Sequence, residues 1–159
     1  MVVAFACDHG GYPLRERLLQ AIQSLGVEVL DLGTHSPDPV DYPDYAEALG
    51  RAILAGRAER GVLVCGSGVG ASVAVNKLPG IRAGLCHDSF AARQGVEDDN
   101  CNVLCLGARV IGPELAADLV RFFLAARFSG AERHRRRLEK IERLEAAGAQ
   151  LLLVRRTHG

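Results

Sequence analysis

The sequence predicts an α/β protein: a three-layer, doubly wound (Rossmann-like) sheet of five parallel strands with an extra C-terminal helix. Three observations carry that expectation. Short apolar runs recur at residues 2–7, 27–32, 61–65, 82–86 and 102–106. Stretches of helical period lie between them. The runs are apolar at consecutive positions, as strands buried on both faces are. Strands of that kind, separated by helices, require parallel pairing and right-handed crossovers. The ligand of such a sheet lies beyond the carboxyl ends of its strands, near the point where the strand order reverses.

The elements follow in order. Val2 to Ala6 opens the chain as a strand, and Leu14, Leu18, Leu19, Ile22 and Leu25 space the first helix. Pro13 suits its first turn and Gly26 its end. After the second strand, residues 33–42 are rich in Thr, Ser, Pro and Asp. They are too long for a plain connector and are expected to help form the site. Tyr45, Leu49, Ile53 and Leu54 mark a second helix between Pro43 and Gly56. Helices over 69–78, 88–97 and 113–127 alternate with the remaining strands, the last ending before Gly130. Beyond it, Leu138, Ile141 and Leu144 on an Arg/Glu background predict a charged helix with a narrow apolar stripe. A neighbouring subunit is the natural surface for that stripe. The expected organisation is one domain over residues 1–148 and a tail over 149–159, which either docks on a partner or stays poorly ordered.

Composition narrows the function classes. Nineteen basic and nineteen acidic side chains cancel in 159 residues, so no overall field favours nucleic acid or an anionic membrane. The five cysteines, at 7, 65, 86, 101 and 105, are an odd number without CxxC spacing. They read as free thiols in a reducing compartment, without a structural zinc site. No apolar run approaches the ~20 residues that cross a bilayer, and the N-terminus has no signal-peptide pattern. A soluble, cytoplasmic protein is expected.

The chemistry concentrates at Cys65. An apolar strand ends there, opens into a loop with glycines at 66, 68 and 70, and continues into a small-residue helix. Backbone N–H groups at such a turn can hold a phosphate or a developing oxyanion, and their dipoles favour a thiolate. The plain alternative is a core cysteine, the reading given to Cys86, Cys101 and Cys105, which no such loop follows. Asp8 and His9 end the first strand at the same sheet edge. Alone they read as a helix cap and a surface residue; beside Cys65 they read as site groups. The G-x-G-x-G spacing, after the third strand and without a ribose-binding acid, argues against a dinucleotide site. Arg133 and Arg137 fall one helical turn apart and can grip a phosphate, where a charge run is ordinarily a solvated face. Arg109, after the last strand, is a third candidate donor.

Cys7-Asp8-His9-Gly10, Asp41-Tyr42-Pro43, Cys65-Gly66-Ser67-Gly68-Val69-Gly70, Asn76-Lys77, Gly80-Ile81-Arg82-Ala83, Asn102-Val103-Leu104, Gly107-Ala108-Arg109-Val110-Ile111-Gly112 and Arg133-His134-x-x-Arg137 together resemble the type B ribose-5-phosphate isomerases. That family includes galactose-6-phosphate isomerase subunits, and the resemblance covers roughly residues 2–145. It implies a metal-free, cofactor-free aldose–ketose isomerase working through a cis-enediolate. Cys65 is then the base, and the N–H groups of Gly66, Gly68, Val69 and Gly70 hold the oxyanion. Ser67 assists proton movement. Asp8, His9 and Tyr42 contact the sugar phosphate, with Asp99 among the binding residues, and Arg109 binds phosphate. Arg133 and Arg137 reach it from a neighbouring subunit, giving a homodimer with shared sites that can pair into a tetramer. Members with a glutamate base carry it at the position of Ala71, so the cysteine type applies. One position departs from the pattern. Asp98 stands where the family has its ring-opening histidine, and an ordinary aspartate, with a pKa of about 3.9, is a poor acid at neutral pH. Either Asp98 or His87 then opens the ring, or the substrate is a sugar phosphate with little need of opening.

Overall fold

The computed structural model describes residues 1–157. The apolar runs form β1 (Val2–Cys7), β2 (Glu28–Asp31), β3 (Arg60–Cys65), β4 (Ala83–Leu85) and β5 (Val103–Gly107). They pair in the order β2-β1-β3-β5-β4, every pair parallel. The helices are α1 (Arg15–Gln23), α2 (Tyr42–Leu54), α3 (Val69–Val75), α4 (Ser89–Asp99), α5 (Pro113–Ala125) and α6 (Glu132–Thr157). A single 3-10 turn over Tyr12–Leu14, with Pro13 in it, leads into α1.

Strand alternation divides the core into two layers. Val3, Phe5, Val62, Val64, Leu104 and Leu106 face α1, α4 and α5. Ala4, Ala6, Leu63, Cys65, Val103 and Cys105 face α2 and α3. The central strands are buried along nearly their whole length, whereas β2 and β4, at the edges, are partly exposed. This is the three-layer fold that the sequence predicts. At its amino edge the half-buried Arg60 donates to the carbonyls of Phe123 (2.6 Å) and Ala126 (2.8 Å) where α5 ends. A cation thus satisfies carbonyls that the helix itself leaves unpaired.

The topology fixes where a ligand can bind. From β1 the chain steps outward to β2, then crosses back so that β3 pairs on the other side of β1. The order therefore reverses between β1 and β3, whose carboxyl ends meet in the register Cys7 to Val64. Each helix after a strand returns the chain to the amino edge. There Ser129 N–H bonds the Glu97 carbonyl (2.9 Å), and Gly80 N–H bonds the Glu145 carboxylate of α6 (3.1 Å). Helix α6 is accordingly held at the amino edge, opposite Cys65. It is longer than the 138–144 periodicity indicates and runs without a break past residue 148. Residues 158–159 of the expected tail lie outside the described residues. Ile141 and Leu144 of its apolar stripe are exposed within the chain. Among the described residues, no helix is long and apolar enough to cross a membrane.

Candidate active site

Strand β3 delivers Cys65 to the carboxyl edge at the switch point, 5% exposed on the α2–α3 side of the sheet. The next residues cannot continue the strand. Gly68 takes φ of +83°, a left-handed conformation, and a Cβ there would lie 2.5 Å from Leu85 Cδ1 and 2.9 Å from the Leu106 carbonyl carbon. This turn aims the Gly68 N–H at the Cys65 sulfur, 3.0 Å away. Cys65 is the one cysteine among the described residues whose sulfur accepts a backbone N–H. Burial pushes the other four thiols up, Cys7 and Cys101 each to about 11.

Accounting for the loop's donors shows what it offers. Val69 N–H bonds Ser67 Oγ at 3.2 Å. The N–H groups of Gly66, Ser67, Gly70 and Ala71 make no hydrogen bond to the described residues. Unpaired donors beside a nucleophilic sulfur suit a developing oxyanion. Gly68→Ala is therefore expected to cost about 1–3 kcal/mol, from the left-handed backbone and the contact with Leu106. Thermal unfolding checks this as a fall in Tm of several degrees, with turnover falling alongside because the donor on Cys65 is displaced.

The other groups of the carboxyl edge close around this loop. Asp8 is buried, and its Oδ1 accepts the Gly11 N–H at 2.9 Å, capping the turn into α1. The segment after β1 touches the glycine loop: a Cβ on Gly10 would sit 2.9 Å from Gly66 N. His9 Nδ1 accepts the Val40 N–H at 3.1 Å and so ties the long 33–42 loop to the site. The Tyr42 ring lies over Gly70, 2.8 Å from where a Cβ would be. Arg109 is anchored by its own N–H to the Gly66 carbonyl (2.9 Å), with its guanidinium packed on Gly66. His87 Nε2 accepts the Gly107 N–H at 2.9 Å, and burial lowers the imidazole pKa, so His87 is held as a neutral acceptor. With that nitrogen occupied it makes a poor proton donor, although it shares the edge with Cys65. Among the described residues, no three His, Cys, Asp or Glu side chains gather closely enough to hold a metal ion.

Four of the predicted site residues lie elsewhere. Asp98 and Asp99 end α4 at the amino edge, and Arg133 and Arg137 are exposed near the start of α6 on the same edge. One chain does not bring them to Cys65. Asp98 meets His134, a residue that the arginine run around it conceals. It is 4% exposed, with Nε2 3.5 Å from Asp98 Oδ1. A histidine inside an arginine run, at the only buried position of that run, is a signal that burial alone reveals.

The model of a family described as Ribose/Galactose Isomerase matches residues 3–141. The chain belongs to the ribose/galactose isomerase family. It is 41% identical over 143 residues to ribose-5-phosphate isomerase B of Escherichia coli, covering 90% of this chain and 95% of that one. It is 39% identical over 132 residues to D-erythrulose-4-phosphate isomerase of Pectobacterium atrosepticum, covering 80% of this chain and 85% of that one. The solved structure of Clostridium thermocellum ribose-5-phosphate isomerase B superposes with a TM-score of 0.89 at 42% identity, covering 92% of this chain and 99% of that one. The ribose/galactose isomerase match stops at 141, so the last part of α6 lies beyond it.

Proposed function

We propose that this chain interconverts ribose 5-phosphate and ribulose 5-phosphate through a cis-enediolate, with Cys65 as the base and no metal or cofactor. The observation that carries the reading is the Cys65 sulfur beside four unpaired loop N–H groups at the switch point. Cys65 takes the proton from C2 of the open aldose while the electron pair moves toward the C1 oxygen. Of the loop N–H groups expected to hold that oxygen, those of Gly66 and Gly70 are unpaired, while those of Gly68 and Val69 are engaged by the Cys65 sulfur and Ser67 Oγ and order the loop around it. Ser67 passes protons between the C1 and C2 oxygens. Cys65 then returns its proton to C1, leaving the ketone at C2.

Phosphate recognition needs two copies of the chain. Arg109 stands at the carboxyl edge with Asp8, His9 and Tyr42, whereas Asp98, Asp99, Arg133 and Arg137 stand at the amino edge. A homodimer that lays the amino edge of one copy against the carboxyl edge of the other completes the site. The exposed apolar positions of α6 are the surface for it, and two such dimers form a tetramer. The setting is the cytoplasm.

A second reading keeps the chemistry and changes the sugar. Asp98 replaces the ring-opening histidine, and a relative of 39% identity is named for erythrulose 4-phosphate, a sugar that closes no furanose ring. A panel of four-, five- and six-carbon sugar phosphates, with aldose–ketose conversion followed by NMR, separates the readings. Fastest conversion is expected on ribose 5-phosphate. Preference for the tetrulose or a hexose phosphate transfers the assignment to that sugar. Tight binding without conversion of any of them makes the chain a sugar-phosphate binding protein and overturns the proposal.

A further inference from the structure

Helix α4 ends with a carboxylate hydrogen-bonded on one side and faced by an imidazole on the other. Gln94 Nε2 donates to Asp98 Oδ2 at 2.7 Å, and His134 Nε2 faces Oδ1 at 3.5 Å. His134 is itself fixed from behind. Its Nδ1 lies 2.6 Å from Ser129 Oγ, which already accepts the Ala131 N–H at 3.3 Å. With the serine hydroxyl donating to Nδ1, the ring proton sits on Nε2, toward Asp98. The Asp98 side chain is 31% exposed, against 5% for that of His134. The carboxylate meets the solvent, and the imidazole stands behind it.

We infer that His134 is the positioning residue for Asp98, and that the carboxylate so held opens the furanose ring of a sugar bound in a neighbouring copy's site. This rests on the isomerase reading and on sites shared between copies. The step needs no standing acid. The anomeric hydroxyl and the ring oxygen are both bonded to C1, spaced much like the two oxygens of a carboxylate. One Asp98 oxygen accepts the proton of the anomeric hydroxyl, the C1–O4 bond breaks as C1=O forms, and the O4 electron pair takes the proton back. Nothing is oxidised and no net proton is consumed. Both carboxylate oxygens keep lone-pair capacity for the sugar, Gln94 occupying one site on Oδ2 and His134 Nε2 standing 3.5 Å from Oδ1. A carboxylate that takes and returns the same proton thus does what would otherwise call for an acid poised near neutrality, provided its orientation is fixed.

The test uses the fact that ribulose 5-phosphate, with its C5 oxygen phosphorylated, closes no furanose ring. In D2O the protein exchanges solvent deuterium into C1 of ribulose 5-phosphate without any ring step, whereas consumption of ribose 5-phosphate needs one. In His134→Asn the ratio of ribose 5-phosphate consumption to this exchange is expected to fall about tenfold. Asp98→Asn, at a part-exposed position that folding tolerates, is expected to lower the same ratio and decides the matter should His134→Asn not fold. A proportional fall in both reactions, the mark of a merely structural role, overturns the inference, as does an unchanged ratio. Absence of both reactions from the unaltered protein overturns the isomerase reading itself, and this inference with it.

Discussion

Cys65→Ala is expected to lower the turnover of ribose 5-phosphate by about a thousandfold, the usual order for removing a positioned general base. The melting temperature is expected to move by only a few degrees, because alanine keeps the Cβ and the site loses one sulfur from a small-residue layer. Steady-state rates beside a thermal melt check both halves. The contrast between them matters, because a core cysteine would give the opposite pattern. Cys105 shows what a core thiol looks like in this fold: it is fully buried, burial pushes its pKa up, and no backbone N–H reaches its sulfur. Cys65 lies in the same layer but accepts the Gly68 N–H at 3.0 Å. The glycine turn, and not burial, separates the two.

Arg137→Ala is expected to raise the KM for the sugar phosphate by about 10- to 100-fold with a smaller change in kcat, since a guanidinium–phosphate contact persists through the reaction. Its larger consequence appears on mixing. Arg137 stands at the edge of the sheet opposite Cys65, so in the proposed shared site it grips the phosphate of the sugar at another copy's Cys65. Subunits carrying Cys65→Ala, exchanged with subunits carrying Arg133→Ala and Arg137→Ala, are expected to regain up to about a quarter of the unaltered activity at low substrate. Half of randomly mixed dimers are hybrids, and each hybrid assembles one intact site. Failure to regain activity, with hybrids shown by native mass spectrometry, would mean that each chain builds its site alone.

The fold was legible because its evidence is local. Strands buried on both faces show as unbroken apolar runs, and Pro13, Pro43 and the terminal glycines mark helix ends. The Cys65 loop was legible for the same reason, since strand end, glycines and helix start are contiguous in the chain. Strand order was not, because the β1–β3 and β3–β5 pairings join residues far apart in sequence. That α4 carries Asp98 away from Cys65 follows from the parallel sheet alone, because a helix joining two parallel strands ends at the amino edge. His134 was hidden by its neighbours. Among four arginines it looks like part of a solvated face, yet the contact with α4 buries it alone. The length of α6 was also missed, although Ala146, Ala147, Ala149 and the leucines after them are strong helix formers.

The central claim is that the Cys65 sulfur carries a carbon-bound proton between C1 and C2. Converting ribose 5-phosphate in D2O and reading the product by proton NMR tests it directly. The account predicts that solvent deuterium enters C1 of ribulose 5-phosphate with the unaltered protein and that this labelling stops in Cys65→Ala. Product formed with no deuterium at C1, or labelling that continues at the same rate without the sulfur, would contradict it.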